Sequence, residues 1–158
     1  MNIVREPSES AVKKLLASVQ LPTADITPKH MEHFFGAWVG SSLEGVVGME
    51  PLGSVALLRS LAVVTSKRCS GLGSGLLAQI EQYATEKGVR SIFLLTTTAE
   101  SYFKKHGYSS VLREAAPETI QNTTEFTSIC PASSVLMVKH MPANSALQPT
   151  SPLARCRG

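Results

Sequence analysis

Cysteine is scarce in this chain of 158 residues: there are three, Cys69, Cys130 and Cys156. An odd number so widely spaced offers neither a disulfide framework nor a close metal-ligand pair. The four histidines, His30, His33, His106 and His140, show no metal-ligand spacing with a partner carboxylate, so no metal is expected. No apolar run reaches the roughly 18 to 20 residues that cross a bilayer as a helix. The opening MNIVREPSES has neither the basic nor the apolar region of a secretory signal. The expectation is a soluble, cytoplasmic domain with no membrane partner. A strong excess of one charge sign is also lacking: the net +3 is mild and comes partly from Arg155 and Arg157, which argues against a nucleic-acid partner.

What is present is an ordinary globular composition, 43% hydrophobic and 17% charged, enough for one domain with a real core. Residues 1–140 carry the periodic segments; residues 141–158, with three prolines and no aromatics, read as a flexible tail. Asn2 to Arg5 fits a short edge strand. Ser8 is placed to cap a helix whose apolar face is Val12, Leu15, Leu16 and Val19, and Thr27-Pro28 starts a further helical turn. Three strand-like runs follow, FFGAWVG, EGVVGME and SVALLRSLAVV, joined by connections short enough to make an antiparallel meander. A helix from about Gly71 to Lys87 presents Leu72, Leu76, Ile80, Tyr83 and Ala84 on one face. The strand Ser91 to Thr98 comes after it, so the crossover predicts that this strand lies parallel to the one ending at Val64. A short helix (Ala99 to His106), a strand YSSVLRE, a polar irregular stretch after Pro117 and a last strand Ser133 to His140 complete the domain. The predicted fold class is α/β (α+β): a mixed, mostly antiparallel twisted sheet with a central parallel βαβ unit and helices on both faces.

The sharpest chemical signal is Arg68-Cys69-Ser70-Gly71-Leu72-Gly73, between the third meander strand and the helix. A glycine-rich turn at a helix start offers bare N–H groups beside the positive end of the helix dipole, which suits a phosphate or pyrophosphate. It is not the dinucleotide fingerprint, because Leu76 stands where a third glycine is needed, nor a Walker A loop, because no Gly-Lys-Ser/Thr follows. The bland reading is an ordinary strand-to-helix turn.

A second stretch, AESYFKKHGY (Ala99 to Tyr108), narrows the ligand. The turn resembles the Arg/Gln-x-x-Gly-x-Gly/Ala pyrophosphate loop of the GNAT superfamily, the acyl-CoA-dependent N-acetyltransferases, and the helix resembles their A-x-x-F-Y-x-x-x-G-F segment. The resemblance implies acetyl-CoA as cosubstrate. Backbone groups of Leu61, Ala62 and Val63 should pair with its pantetheine arm, and the turn from Arg68 through Cys69, Ser70, Gly71, Leu72, Gly73 and Ser74 should hold its pyrophosphate. Cys69 reads as a small residue there, without a base near it in sequence to make it a nucleophile. Phe103 falls where the family often carries the tyrosine that protonates the departing thiolate; it lies in the cofactor region but has no proton to give. Tyr102 lies about 100° away around the helix and reads as core. The Phe form, with LLTTTAESYF, is similar to members that acetylate free amino acids, such as N-acetylglutamate synthases. LPTAD, ALLRSLAV and EFTSICPAS extend the likeness, from about Leu21 to Val138, to N-acetyltransferases encoded beside arsenic-resistance genes. The tail NSALQPTSPLARCRG resembles the extensions made when a bacterial mobile-cassette gene reads into its recombination site; the alternative is a functional arm or the clasp of a homodimer.

Amine acetylation needs a base for the nucleophile and stabilisation of the carbonyl oxygen as it gains charge. Glu50, late in the second meander strand, is the candidate catalytic base, directly or through a water; otherwise it is a solvated carboxylate or a salt-bridge partner. Strand alternation places Arg59 on the face of Val55, Leu57 and Leu61. A guanidinium among apolar neighbours needs an anion, either the carboxylate of an amino-acid substrate or Glu50 or another internal acid. Thr96 and Thr97, with Thr98, end the parallel strand where such sheets place ligands, although they serve equally to satisfy loose backbone groups. Cys130 belongs either to the substrate end or to the core. The expected function is therefore acetyl transfer to a small-molecule amine. A silent acyl-CoA sensor and a three-cysteine arsenic-binding protein are the competing readings.

Overall fold

The computed structural model describes residues 2–21, 23, 26–64, 71–123, 126–127 and 133–141. The β-branched and aromatic runs between Phe34 and Val63 pair as an antiparallel meander of β2 (Phe34–Val39), β3 (Ser42–Leu52) and β4 (Val55–Val63). β1 (Asn2–Arg5) adds antiparallel to the outer edge of β2. The chain then crosses over through α2 (Leu72–Glu86), and β5 (Ser91–Thr96) returns parallel to β4. The last strand, β7 (Val135–His140), inserts between β5 and the short β6 (Ser109–Val111). The resulting order is β1-β2-β3-β4-β5-β7-β6, with β4–β5 the one parallel pair among the described strands. The mixed, mostly antiparallel sheet predicted from the sequence is the one found.

Both faces of the sheet are covered. On one, α2 lays Leu72, Leu76, Leu77, Ile80, Tyr83 and Ala84 over Val47, Met49, Ala56 and Leu58, and α3 (Glu100–Lys105) adds Phe103. On the other, α1 (Glu9–Ser18) packs Val12, Leu15 and Leu16 against Phe34, Val46 and Ala62. Each such leucine or isoleucine contributes roughly 1.5–3 kcal/mol by leaving water. Ser8 caps α1 as its position predicts, its Oγ accepting the Ala11 N–H at 3.2 Å. A third cluster around Leu57, Phe93, Leu95, Leu136 and Val138 is closed by Ile120 of α4 (Glu118–Gln121).

Three local expectations give way. The stretch after Pro117 contains α4, a single turn with one fully buried apolar residue, Ile120, too little to show a period in sequence. YSSVLRE is strand only from Ser109 to Val111, because β6 has one neighbour and the chain tightens into a 3-10 turn at Arg113–Ala115. The third concerns β4. Gly48 pairs with Arg59 and Val46 with Ala62, so Ser60 and Leu61 together oppose Val47. This is a β-bulge, and Ser60 takes a left-handed φ of 60° within it. The extra residue reverses the alternation: Leu61 packs with the α2-side core, opposite to Val55, Leu57 and Arg59. The tail lies, Met141 apart, outside the described residues.

Candidate active site

The other edge of β4 changes its pairing as well. Pairing with β5 covers only Val55–Leu57 against Ser91–Phe93. Beyond that point, among the described residues, the β5-facing backbone of β4 from Leu58 to Val63 has no strand partner. β5 itself continues to Thr96, bonded on its far side to β7. Two neighbouring parallel strands thus part like the arms of a V, with Leu61, Ala62 and Val63 along one arm. Unpaired buried N–H and C=O groups are costly, so such an edge is suited to an extended ligand bearing amides.

At the open end of the V stands the start of α2. Gly71 is its N-cap with φ of 90°, a conformation open to glycine at little cost. The first helical bond, Gly75 N–H to the Gly71 carbonyl, is 2.9 Å long. The N–H groups of Leu72, Gly73 and Ser74 precede it and have no acceptor within the helix. No side chain caps this end and no acid lies in its first turn, which leaves the positive end of the dipole to an anion. Gly73 is closely confined: a Cβ there would stand 3.0 Å from the Tyr102 hydroxyl and 3.7 Å from Val63. The end of β4, the first turn of α2 and α3 therefore meet at this glycine. Arg68, Cys69 and Ser70 lie outside the described residues, as does Cys130.

At the apex of the V, Glu50 and Arg59 come together. Arg59 Nη1 donates to Glu50 Oε2 at 3.1 Å, with side chains 2% and 19% exposed. Arg59 Nε also donates to Ser60 Oγ, the bulge residue, at 3.1 Å. The internal acid is thus one partner of the buried guanidinium, and Glu50 retains contact with solvent at the point where the strands separate. Thr96 Oγ accepts the Ala99 N–H at 3.0 Å, just ahead of α3. Thr97 and Thr98 lie past the end of β5, exposed.

The two aromatics of α3 differ in their surroundings. Phe103 is 6% exposed and packs on Tyr108 at 5.5 Å between centroids, as core. Tyr102, which reads as core in the sequence, is only half-buried, and its hydroxyl is buried without a hydrogen-bond partner. Burial pushes its pKa up, the nearby Ser74 hydroxyl being a smaller, opposing influence. Two adjacent aromatics on one short helix are the only sequence signal for this; which of them reaches the cleft depends on the packing of α3. Among the described residues no group of three or more His, Cys, Asp or Glu side chains is placed to hold a metal ion. No described helix is long and apolar enough to cross a membrane.

Comparison with known proteins agrees with this architecture. The chain is 36% identical to an uncharacterized N-acetyltransferase of Chlorobaculum tepidum over 66 residues, 42% of each chain. Its fold matches the N-acetylglutamate synthase of Neisseria gonorrhoeae, solved with coenzyme A and N-acetyl-glutamate, with a TM-score of 0.74 at 19% identity over 88% of this chain. It also matches Rv2747 of Mycobacterium tuberculosis, solved with coenzyme A, with a TM-score of 0.75 at 15% identity, covering 90% of this chain and 100% of that one. The chain spans only 42% of the Chlorobaculum relative and 34% of the Neisseria enzyme. The model of the acetyltransferase (GNAT) family matches residues 5–108, from the last residue of β1 through the parted strands to just past α3, and the chain belongs to that family.

Proposed function

We propose that this protein is an acetyl-CoA-dependent N-acetyltransferase that modifies the amine of a small molecule, an amino acid or an amino-acid-like toxin, by direct attack in a ternary complex. The observation that carries this reading is the V between β4 and β5 with the uncapped start of α2 at its mouth. The residues present fit the donor. The edge at Leu61, Ala62 and Val63 receives the amides of the pantetheine arm. The turn from Arg68 to Ser74 receives the pyrophosphate, with Gly73 leaving room for it. Coenzyme A in the Neisseria and Mycobacterium structures supports the assignment.

In the reaction the neutral amine attacks the thioester carbonyl carbon, the C–N bond forms, and collapse of the tetrahedral intermediate breaks the C–S bond. Glu50 takes the amine proton, directly or through a water, and Arg59 holds the acceptor carboxylate while sharing its guanidinium with Glu50. Thiols ionise near pH 8.5, so coenzyme A leaves as thiolate without an acid, which accommodates Phe103. Thr96, Thr97 and Cys130 are assigned to the acceptor end. The amino-acid acceptor is supported by the sequence likeness to amino-acid acetylating enzymes and by N-acetyl-glutamate in the Neisseria complex.

The test is thiol release from acetyl-CoA, corrected for hydrolysis, across free amino acids and glutamate analogues. Turnover on at least one is expected. Tight acetyl-CoA binding with no turnover on any would favour the sensor reading, which Phe103 motivates. Gly73→Glu is expected to eliminate saturable coenzyme A binding in calorimetry while the protein remains folded; unchanged affinity would refute the pyrophosphate site.

A further inference from the structure

Tyr102 is a buried hydroxyl that the reaction above does not use. Its ring is held by His106 and Phe103, with centroids 4.6 and 5.3 Å away. The held ring delivers the hydroxyl to within 3.0 Å of a Cβ position on Gly73, in the first turn of α2 and beside Val63 at the end of β4. There it has no water contact and makes no hydrogen bond of good geometry among the described residues, although the Ser74 hydroxyl is close enough to influence its titration. A buried hydroxyl in that state costs roughly 1–3 kcal/mol, a cost that a ligand acceptor at the same place removes. Two further facts define that ligand. Burial raises the phenol's pKa, so it remains a donor at any physiological pH. The N–H groups of Leu72, Gly73 and Ser74 beside it are also donors without helical acceptors. Three backbone donors beside a protonated phenol favour an anionic oxygen.

From this we infer that Tyr102 is a cofactor-binding residue whose phenol donates a hydrogen bond to a phosphate oxygen of the acyl donor, where the donor passes from β4 onto α2. The inference rests on the acetyl-CoA reading and adds to it a side chain outside the glycine turn. The two aromatics of α3 then serve different ends. Phe103 fills the core, whereas Tyr102 reads the phosphate end, away from the thioester at the apex of the V. No proton transfer is assigned to it.

The experiment compares wild type with Tyr102→Phe in titrations with coenzyme A and, by ligand-observed NMR, with pantetheine, which lacks the diphosphate and nucleotide. Melting temperatures are measured alongside. Loss of a charge-assisted hydrogen bond predicts coenzyme A binding weakened roughly tenfold to a hundredfold. Pantetheine affinity should be unchanged, and the melting temperature unchanged or higher, because an unpaired buried hydroxyl has been removed. Equal coenzyme A affinity in the two proteins would overturn the inference. So would a lower melting temperature with equal losses for both ligands, the pattern of a structural bond to Ser74. Wild-type protein that fails to bind coenzyme A would overturn the acetyl-CoA reading itself, and this inference with it.

Discussion

β4 has two parts, both mostly apolar, that differ in their neighbours. From Val55 to Leu57 it is bonded to β3 on one side and β5 on the other, an ordinary interior strand. From Leu58 to Val63 it keeps β3 and loses β5, although both strands continue. What separates the parts is local: Arg59, tied to Glu50 and Ser60, and then the bulge at Ser60 itself. The difference shows how an open, well-packed sheet acquires an unpaired backbone edge in its middle. The edge strands of the sheet, β1 and β6, are short and lie elsewhere. β4 carries one extra residue in its second part, and backbone groups that pair with β5 in the first part have no such partner in the second.

The largest expected effect comes from removing the charge that stands between the parts. Arg59→Ala leaves Glu50 without a guanidinium it now pairs with, and loss of one member of a buried pair costs roughly 3–5 kcal/mol. A marked fall in the melting temperature is expected. The acceptor KM should rise more than the dissociation constant for acetyl-CoA in whatever fraction remains folded. A variant of wild-type stability would show that the pair does not hold the apex.

A smaller effect is expected from the bulge. Ser60→Val puts a β-branched residue at a φ of 60°, where strain is on the order of 1–3 kcal/mol. Denaturant titration should show a loss in this range and calorimetry weaker coenzyme A binding, whereas Ser60→Gly should fold at least as well as wild type. If Ser60→Val binds coenzyme A as wild type does, the bulge does not set the opening.

The smallest effect is a control at the paired end of the molecule. His33 bonds Tyr83 Oη through Nδ1 at 2.7 Å, ten residues along α2 from Gly73, roughly 15 Å by helix geometry. Burial holds its pKa below 6.5, with Lys87, Arg5 and His30 adding to the lowering and Glu32 opposing it. The unfolded chain therefore takes up the proton first. Stability should be flat above pH 6.5, decline as pH falls through that value and level off below the folded pKa. His106, also lowered by burial, acts in the same direction. His33→Gln should reduce the decline without changing coenzyme A affinity at pH 7.5; a change in that affinity would mean the two ends of α2 are coupled.

Much of this was legible in the residues. The meander, the crossover and the glycine start of α2 follow from period, connection length and backbone chemistry, all of which act locally. The ion pair was legible as a need, since a guanidinium among Val55 and Leu57 demands an anion, but the choice of partner was not. The reversal at Leu61 was hidden because a bulge leaves no compositional mark: Ser60 is an ordinary strand-compatible residue until β3 fixes the register on both sides. α4 was hidden because one apolar residue, Ile120, has no period.

By itself, then, the sequence determined the order of elements, the face each helix buries and the glycine start of α2, because these depend on neighbours three or four residues away. Only the tertiary structure decided that β4 and β5 part after Leu57 and Phe93, that Arg59 meets Glu50, and that Tyr102 rather than Phe103 brings a side chain to Gly73. Each of these is a contact between segments far apart in the chain. Their energy comes from packing the sheet against its helices, a term that no local propensity contains.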